Sequence, residues 1–184
     1  TMSHELRTPL NSIIGFTGII LRERVGPLNE EQRKQLNMVR NSSQHLLALI
    51  NDVLDISKIE AGQLQLADEE VDLHQAIEKV QQSVRPLADS KGLELALEIA
   101  PGVDAIRGDR RRIEQILLNL LSNAIKFTET GSVRIVCDSN EDSVIVKVID
   151  TGIGIKTEDL ETVFLSFRQI DSGISRKYEG TGLG

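Results

Sequence analysis

The run SHELRTPLNSIIGFTGIILRERVGPLNEEQRKQL occupies residues 3–36 and decides which fold is expected for the first third of the chain. Its apolar residues recur every three or four positions, as on one face of an α-helix, up to the turn signal Val25-Gly26-Pro27-Leu28. Asn29 and Gln32 then match a capping box, and the second periodic run that follows continues to Gly62, a plausible C-cap. The pattern predicts two long antiparallel helices that share one continuous apolar stripe.

This apolar stripe indicates an oligomer. Two helices alone cannot bury it between themselves, whereas two hairpins that pair into a four-helix bundle can. The sequence therefore predicts a homodimer that forms through residues 1–60.

Composition excludes several classes of protein. The chain has 184 residues, of which 40% are hydrophobic, which is enough for a buried core and excludes a disordered or collagen-like chain. A net charge of −7 disfavours sequence-independent nucleic-acid binding, because phosphate neutralisation requires Lys and Arg. The single cysteine, Cys137, can form no intrachain disulfide, which favours a cytoplasmic location. No apolar run approaches the ~18 residues of a membrane span, so we expect no membrane contact within this segment.

From residue 63 the hydrophobic period changes. Residues 63–66 alternate as in a strand, and Asp72 can cap a helix to about Ser90 that Pro86 should kink or shorten. Further strands are predicted at 93–99, 132–137 and 143–149, and further helices at 110–127 and 157–164. Strands with interspersed helices predict an α+β sandwich, with one sheet and its helices on one face. We therefore divide the chain into domains at 1–62 and 63–184.

The first chemical motif is Ser3-His4-Glu5-Leu6-Arg7-Thr8-Pro9-Leu10. His4 lies on the helix flank, off the apolar stripe, where an exposed neutral imidazole is a usable nucleophile near pH 7. Glu5 could hydrogen-bond the other ring nitrogen and accept its proton. Pro9 removes the N–H that would donate to the carbonyl of Glu5, so we expect a bend there. A lone histidine of this kind is more often simply solvated.

The second motif lies on the predicted helix at 110–127, where Asn119, Asn123 and Lys126 share one face. Mg²⁺ prefers oxygen ligands and often binds through substrate phosphates with few protein ligands. A lysine meets a phosphate as a point charge. These residues therefore suit a magnesium–phosphate site, although a solvated polar face is the alternative on the residues alone.

The third motif, Asp150-Thr151-Gly152-Ile153-Gly154-Ile155, directly follows a predicted strand. Gly152 and Gly154 permit positive φ or a close approach of a ligand to the backbone. Asp150 can accept a hydrogen bond from an exocyclic amine such as that of adenine. An ordinary turn is the alternative, and the chain has neither a Walker A motif nor a Rossmann fingerprint.

A fourth motif, Gly180-Thr181-Gly182-Leu183-Gly184, offers backbone amides and a hydroxyl that could cradle phosphate oxygens. Arg168, Arg176 and Lys177 form a local basic cluster before it. The segment is either a solvated loop or a mobile lid over a triphosphate.

In this order, the four motifs resemble the H, N, G1 and G2 boxes of the sensor histidine kinases of two-component systems. Val163-Phe164-Leu165-Ser166-Phe167 resembles the F box, with Ser166 where the family often has proline. The resemblance covers nearly the whole chain. It implies a phosphoacceptor hairpin followed by a sandwich ATP-binding domain of the gyrase, chaperone and histidine-kinase type.

The resemblance also implies a reaction. ATP would phosphorylate His4, and an aspartate of a response regulator receiver domain would then take the phosphoryl group. His45 and His74 lack the acidic neighbour and the proline, so we expect His4 to be the only phosphorylated histidine. Glu5 and Thr8 match the family pattern for phosphatase activity toward the regulator.

The implied nucleotide site has distinct roles for its residues. Asn123 would hold Mg²⁺, Asp150 would select adenine, and Phe127 could pack against the adenine ring. The full implied set is Asn119, Asn123, Lys126, Phe127, Asp150, Gly152, Gly154, Gly180, Thr181 and Gly182.

Two other classes of function remain open from the residues. A related ATP hydrolase would carry a water-activating Glu four residues before the metal-binding Asn, but that position is Asn119 here. A dimeric non-catalytic module is the second alternative.

Because the family continues beyond the G2 box, we expect residues 1–184 alone to form a helical dimer with a poorly folded, ATP-incompetent second domain.

Overall fold

The computed structural model describes residues 2–24, 26–103, 105–140, 143–161 and 163, with side chains described from Glu5 onward. The chain divides into two compact units, the first ending at Leu64 and the second beginning at Gln65. Residues 164–184, which include most of the F-box-like run, the basic cluster and the G2-like run, lie outside the described residues.

The first unit is the predicted helical hairpin. Helix α1 spans Met2–Leu21 and helix α2 spans Glu30–Glu60. The capping box is present, because the backbone N–H of Gln32 donates to Asn29 Oδ1 at 2.8 Å and the backbone N–H of Asn29 donates to Gln32 Oε1 at 3.0 Å. The C-cap of α2 is Ala61 rather than the expected Gly62. Gly62 follows it with a φ of +64°, a left-handed conformation that glycine adopts without strain.

The two helices of the hairpin contact each other but leave an apolar seam uncovered. Arg7 Nε donates to Asn51 Oδ1 at 3.0 Å and links α1 to α2. Leu10, Thr17 and Ser43 are buried in the hairpin. Exposed large apolar side chains repeat at seven-residue spacing on both helices: Leu6 and Ile13 on α1, and Val39, Leu46 and Val53 on α2. This spacing is that of a coiled-coil or bundle interface.

The second unit is an α/β sandwich. Its helices are α3 (Leu73–Ser90) and α4 (Arg110–Phe127), and a 3₁₀ turn follows at Thr157–Asp159. Its strands are β1 (Glu69–Val71), β2 (Glu94–Ile99), β3 (Ile106–Gly108), β4 (Ser132–Ser139) and β5 (Val144–Asp150). Strand β4 pairs parallel with β2 and antiparallel with β5, whereas β1 pairs antiparallel with β3. None of the described helices combines the length and the apolarity that crossing a membrane requires.

Two expectations about strands were wrong. Residues 63–66 form no strand, because the chain there still completes the end of α2: the N–H of Gln63 donates to the carbonyl of Lys58 at 2.8 Å. The strand in this region is β1, which begins at Glu69. The described strands also form two sheets rather than one, because β1 pairs only with the short β3.

Two expectations about helices also need correction. Pro86 does not shorten α3, which continues to Ser90. The proline deprives the carbonyl of Gln82 of its helical donor, and Gln82 is exposed, so water can supply the missing hydrogen bond. In place of the predicted helix at 157–164, Thr157–Asp159 form a 3₁₀ turn, and the other described residues there, 160, 161 and 163, are turn residues.

The core of the second unit lies between the two helices and the three-stranded sheet. Ile77 of α3, Leu121 and Ile125 of α4, and Ile135 of β4 are fully buried there. Cys137 is also fully buried, and desolvation, followed by the charge of Asp138, raises the pKa of its thiol. The buried thiol is therefore a packing residue rather than a reactive one.

Candidate active site

Helix α4 separates a buried face from a polar one. Leu117, Leu121, Ala124 and Ile125 are its buried residues and pack in the core. Asn119, Asn123 and Lys126 lie on the opposite side of the helix, as the 3.6-residue period requires. The polar face that was predicted from the sequence is therefore the solvent face of α4.

The two asparagine side chains are available to a ligand. Asn119 is half-buried and Asn123 is exposed. Within the described part of the chain, neither amide side chain makes a hydrogen bond to another protein group. Lys126 Nζ lies 5.2 Å from the centroid of the Phe127 ring, within cation–π range. An amide oxygen, an ammonium group and an aromatic face thus lie along the last two turns of α4.

The loop after β5 is held against the C-terminal end of α4. The N–H of Ile153 donates to the carbonyl of Phe127 at 3.3 Å. A Cβ at Gly152 would lie 2.5 Å from that same carbonyl oxygen, so only glycine fits at this approach. Gly154 is required for a different reason. A Cβ there would meet no neighbouring atom, but the φ of +69° is a backbone conformation that residues with a side chain rarely adopt.

Asp150 stands at the end of β5 with an exposed carboxylate. Its Oδ1 accepts a hydrogen bond from the N–H of Gly152 at 2.8 Å, which orients the carboxylate over the loop. The structure therefore brings Asp150, Gly152 and Phe127 together in one place. The face of α4 that carries Asn119, Asn123 and Lys126 leads to the same end of the helix.

The start of α4 is anchored by Asp109. Its Oδ1 accepts from the N–H of Arg112 at 3.2 Å, which is the expected N-cap bond, and its Oδ2 accepts from the N–H of Ala67 at 3.1 Å. These hydrogen bonds, of which that from Ala67 has the larger effect, lower the pKa of the Asp109 carboxyl. The segment that leads into β1 is thereby tied to the helix that carries the two asparagines.

The remaining predicted residues are located as follows. His4 is the third residue of α1, in its first turn, and Glu5 and Thr8 are exposed on the same helix. Gly180, Thr181 and Gly182 lie outside the described residues.

Sequence reasoning missed two residues that organise the site. Thr151 Oγ1 accepts from the N–H of Ser132 at 3.0 Å and holds the loop to the start of β4. Lys91 Nζ donates to carbonyls at the end of α4. No spacing rule distinguishes either residue from an ordinary turn threonine or surface lysine, because their partners are backbone atoms distant in sequence.

These residues fit ATP and Mg²⁺ by the chemistry of their donor groups. In the described part of the chain, no group of three or more His, Cys, Asp or Glu residues could hold a metal ion by itself. A cation that keeps most of its waters and binds through phosphates needs only a ligand such as Asn123. The exposed Asp150 carboxylate and the glycine that admits close approach suit the adenine end.

The helical hairpin corresponds to a phosphoacceptor module. The sandwich that follows it, with a glycine loop at the end of its asparagine-bearing helix, corresponds to an ATP-binding module. Comparison with family models agrees. The His Kinase A (phospho-acceptor) domain matches residues 1–62, and the Histidine kinase-, DNA gyrase B-, and HSP90-like ATPase family matches residues 108–184. The chain belongs to the sensor histidine kinases of two-component systems.

Individual relatives support this assignment. The chain is 43% identical over 188 residues to the autoinducer 2 sensor kinase/phosphatase LuxQ of Vibrio cholerae, covering 100% of this chain and 22% of that protein. It is 46% identical over 189 residues to the signal transduction histidine-protein kinase BarA of Escherichia coli K12, covering 100% of this chain and 20% of that protein. The chain thus spans about a fifth of the length of these curated relatives.

Solved structures give the same result. Full-length ShkA in complex with AMPPNP matches with a TM-score of 0.78 and 35% identity, over 100% of this chain and 37% of that one. The Acinetobacter baumannii histidine kinase AdeS matches with a TM-score of 0.61 and 33% identity, over 85% of this chain and 77% of that one. The histidine kinase ThkA in complex with the response regulator protein TrrA matches with a TM-score of 0.60 and 26% identity, over 91% of this chain and 49% of that one.

Proposed function

We propose that this chain is the catalytic part of an ATP-dependent protein-histidine kinase that phosphorylates its own His4. The observation that carries the proposal is the junction of Phe127, Asp150 and Gly152 at the end of the helix face that bears the two asparagines. The solved complex of ShkA with AMPPNP, an ATP analogue, supports nucleotide binding by a chain of this fold.

Each residue has a defined part in binding the nucleotide. The exposed Asp150 carboxylate accepts a hydrogen bond from the adenine amine, and the Phe127 ring packs against the base. Asn123 supplies one oxygen ligand to Mg²⁺, and Lys126 meets a phosphate as a point charge. Asn119 completes this polar face. Bound Mg²⁺ neutralises charge on the triphosphate.

Gly154 provides the positive φ that the loop after β5 requires, and we assign it to the nucleotide site through this loop. We assign contacts with the phosphate oxygens to the Gly180, Thr181 and Gly182 run, which supplies backbone amides and a hydroxyl.

The transfer itself is a displacement at the γ-phosphorus. A ring nitrogen of His4 forms the new N–P bond while the bond to the β,γ-bridging oxygen breaks, and ADP leaves. Glu5, the neighbouring carboxylate, takes the proton that the imidazole loses. Positioning and charge neutralisation supply most of the catalysis in this class of reaction.

The active species is a homodimer formed through residues 1–60. Val39, Leu46 and Val53 support this, because they form an exposed apolar seam on α2 with one residue every seven positions. Such a seam is buried only when a second pair of helices packs on it. A receiver-domain aspartate of a response regulator then accepts the phosphoryl group, and the structure of ThkA with TrrA provides a precedent for such a partner.

Glu5 and Thr8 also support a phosphatase role. Both are exposed and lie three residues apart on α1, so both can reach a docked receiver domain. In this role the Thr8 hydroxyl would position a water for attack on the phosphorylated regulator.

Incubation of the full-length protein with γ-labelled ATP tests the proposal. We expect label on the protein that is lost in acid and retained in base, as a phosphohistidine is. An ATP hydrolase would release labelled phosphate and leave the protein unlabelled, and a non-catalytic module would yield neither labelled protein nor labelled phosphate. Either of these results would contradict the proposed kinase.

A further inference from the structure

The side chain of Lys91 ends in a cluster of backbone carbonyls. Lys91 is the C-cap residue of α3, yet its ammonium group contacts a different helix. Nζ donates to the carbonyl of Ile125 at 2.7 Å, to that of Lys126 at 2.9 Å and to that of Thr128 at 3.2 Å. The first two carbonyls belong to the last turn of α4, and the third is that of its C-cap residue.

This contact answers a general problem of helix ends. The last four carbonyls of an α-helix have no partner within the helix, and an unsatisfied carbonyl is costly where water is excluded. In α4 these are the carbonyls of residues 124–127. Lys91 satisfies the middle two, and its positive charge lies at the negative end of the helix dipole.

The other two terminal carbonyls are satisfied by groups of the same junction. The buried Thr128 donates to the carbonyl of Ala124 from its N–H at 3.1 Å and from its Oγ1 at 2.7 Å. The carbonyl of Phe127 accepts from the N–H of Ile153 at 3.3 Å. The end of α4, the start of the loop after β5 and the end of α3 are therefore joined at one point, and Lys91 provides its cation.

The junction sets the position of two groups that we assign to adenine. Phe127 lies between the carbonyls that Lys91 holds, and its own carbonyl supports the loop that carries Asp150 and Gly152. Any displacement of this backbone turn changes the distance between the aromatic ring and the Asp150 carboxylate. Asn123 lies before the capped carbonyls, within the helix, where its backbone depends less on Lys91.

We propose that Lys91 is a positioning residue for base recognition: its ammonium group holds the end of α4 so that Phe127 and Asp150 meet the adenine ring together. This inference rests on the proposed ATP-binding function and adds to it a residue that acts through the backbone of α4. Loss of this positioning should affect adenine more than guanine. Adenine has an amine that donates a hydrogen bond to Asp150, whereas guanine has a carbonyl at that position.

The test measures the affinities of MgATP and MgGTP by calorimetry on the full-length protein and its variants, well below their melting temperatures. Lys91→Met removes the charge and keeps much of the side-chain length. We expect it to weaken ATP binding on the order of tenfold, the loss typical of a hydrogen bond to a charged group. GTP binding should change much less, so the ratio of the two affinities should fall. Lys147→Met is the matched control, because Lys147 is an exposed lysine that pairs with Asp138 at 3.2 Å, and it should leave the ratio unchanged.

The possible outcomes are distinguishable. A Lys91→Met protein that melts at lower temperature but keeps the ATP-to-GTP ratio would show a structural role alone and overturn the proposal. Where that variant does not fold, Lys91→Gln, which keeps N–H donors without the charge, takes its place, and an unchanged ratio there overturns the proposal equally. Lys91→Arg should restore part of the selectivity. An unaltered protein that binds no ATP would instead contradict the proposed function.

Discussion

The two units of the chain complete their apolar cores in opposite ways. In the sandwich, Ile77, Leu121 and Ile125 are fully buried within the unit itself. In the hairpin, Leu46 remains 47% exposed in the middle of the apolar seam, whose residues recur every seven positions. Among the described residues of the hairpin, Leu10 is the one large apolar side chain that is buried. Among the described residues, the hairpin thus leaves most of its apolar stripe for a partner surface, whereas the sandwich buries a core of its own. The proposed chemistry follows the same division, since the nucleophile lies on the unit that requires a partner and the nucleotide site on the unit that does not.

The sharpest way to separate the two units is to remove the nucleophile. We expect His4→Gln in the full-length protein to abolish the acid-labile label while the affinity for ATP stays unchanged, because the proposed nucleotide site lies in the other unit. Label incorporation and calorimetry measure the two quantities independently. The matched controls are His45→Gln on α2 and His74→Gln on α3, both at exposed positions. Label that persists in His4→Gln, or that disappears in either control, would contradict the assignment of His4.

The second prediction concerns the uncovered seam. Leu46→Glu places a charge in its centre, between Val39 and Val53. Because burial of a leucine is worth about 1.5–3 kcal/mol, we expect dimer dissociation to increase by roughly 10- to 100-fold or more. Sedimentation at several protein concentrations measures it. Met38→Glu is the control, because Met38 is 61% exposed but lies off the seam. Equal effects of the two substitutions would show that the seam is not the interface.

The third prediction separates two roles within the sandwich. Asp150→Asn removes a charged acceptor for the adenine amine, so ATP and ADP should both bind roughly 10- to 100-fold more weakly, with or without Mg²⁺. Asn123→Ala removes a proposed metal ligand, so its loss should be larger for the magnesium complex than for the free nucleotide. Calorimetry in Mg²⁺ and in a chelator distinguishes the two. Equal losses for Asn123→Ala in both conditions would remove its metal role.

How much could be predicted from sequence differs between the units for a physical reason. The hairpin is governed by local signals, and the capping box of Asn29 and Gln32 has the predicted contacts. Helix α4 likewise spans the predicted residues 110–127, because its apolar period and the Asp109 cap are local. Strand pairing is not local: β1 pairs with β3 and not with the larger sheet, and nothing within residues 63–71 distinguishes these outcomes.

The same distinction applies to the candidate site. The residues that we propose to meet a ligand were visible as motifs, since Asp150 and Gly152 lie two positions apart and form their hydrogen bond locally. Lys91 was not visible, because its partners lie more than thirty residues away and are backbone oxygens. Sequence patterns therefore show locally formed motifs more readily than side chains that hold a distant stretch of backbone.

The smallest predicted effect tests the pH dependence of the sandwich through Asp109. Hydrogen bonds from the N–H groups of Ala67 and Arg112 lower the pKa of this carboxyl in the folded protein. A lowered folded pKa gives stability that is fully present above the ordinary aspartate pKa of about 3.9 and is lost as the pH falls through the folded value. Asp109→Asn keeps one carbonyl oxygen as an acceptor, as a protonated carboxyl does, and it cannot titrate. The difference in unfolding free energy between the unaltered protein and Asp109→Asn should therefore be positive at neutral pH and shrink toward zero in acid.

Denaturant unfolding of the second unit from pH 7 to pH 2 measures this difference, with Asp109→Ala as the variant that loses the cap itself. Since alanine accepts no hydrogen bond, Asp109→Ala should be less stable than Asp109→Asn across the whole range, including the acid end. A difference between the unaltered protein and Asp109→Asn that stays constant with pH would mean that the two N–H groups do not act on the ionised carboxylate. The hydrogen bonds that link the segment before β1 to the start of α4 would then not depend on the negative charge of Asp109.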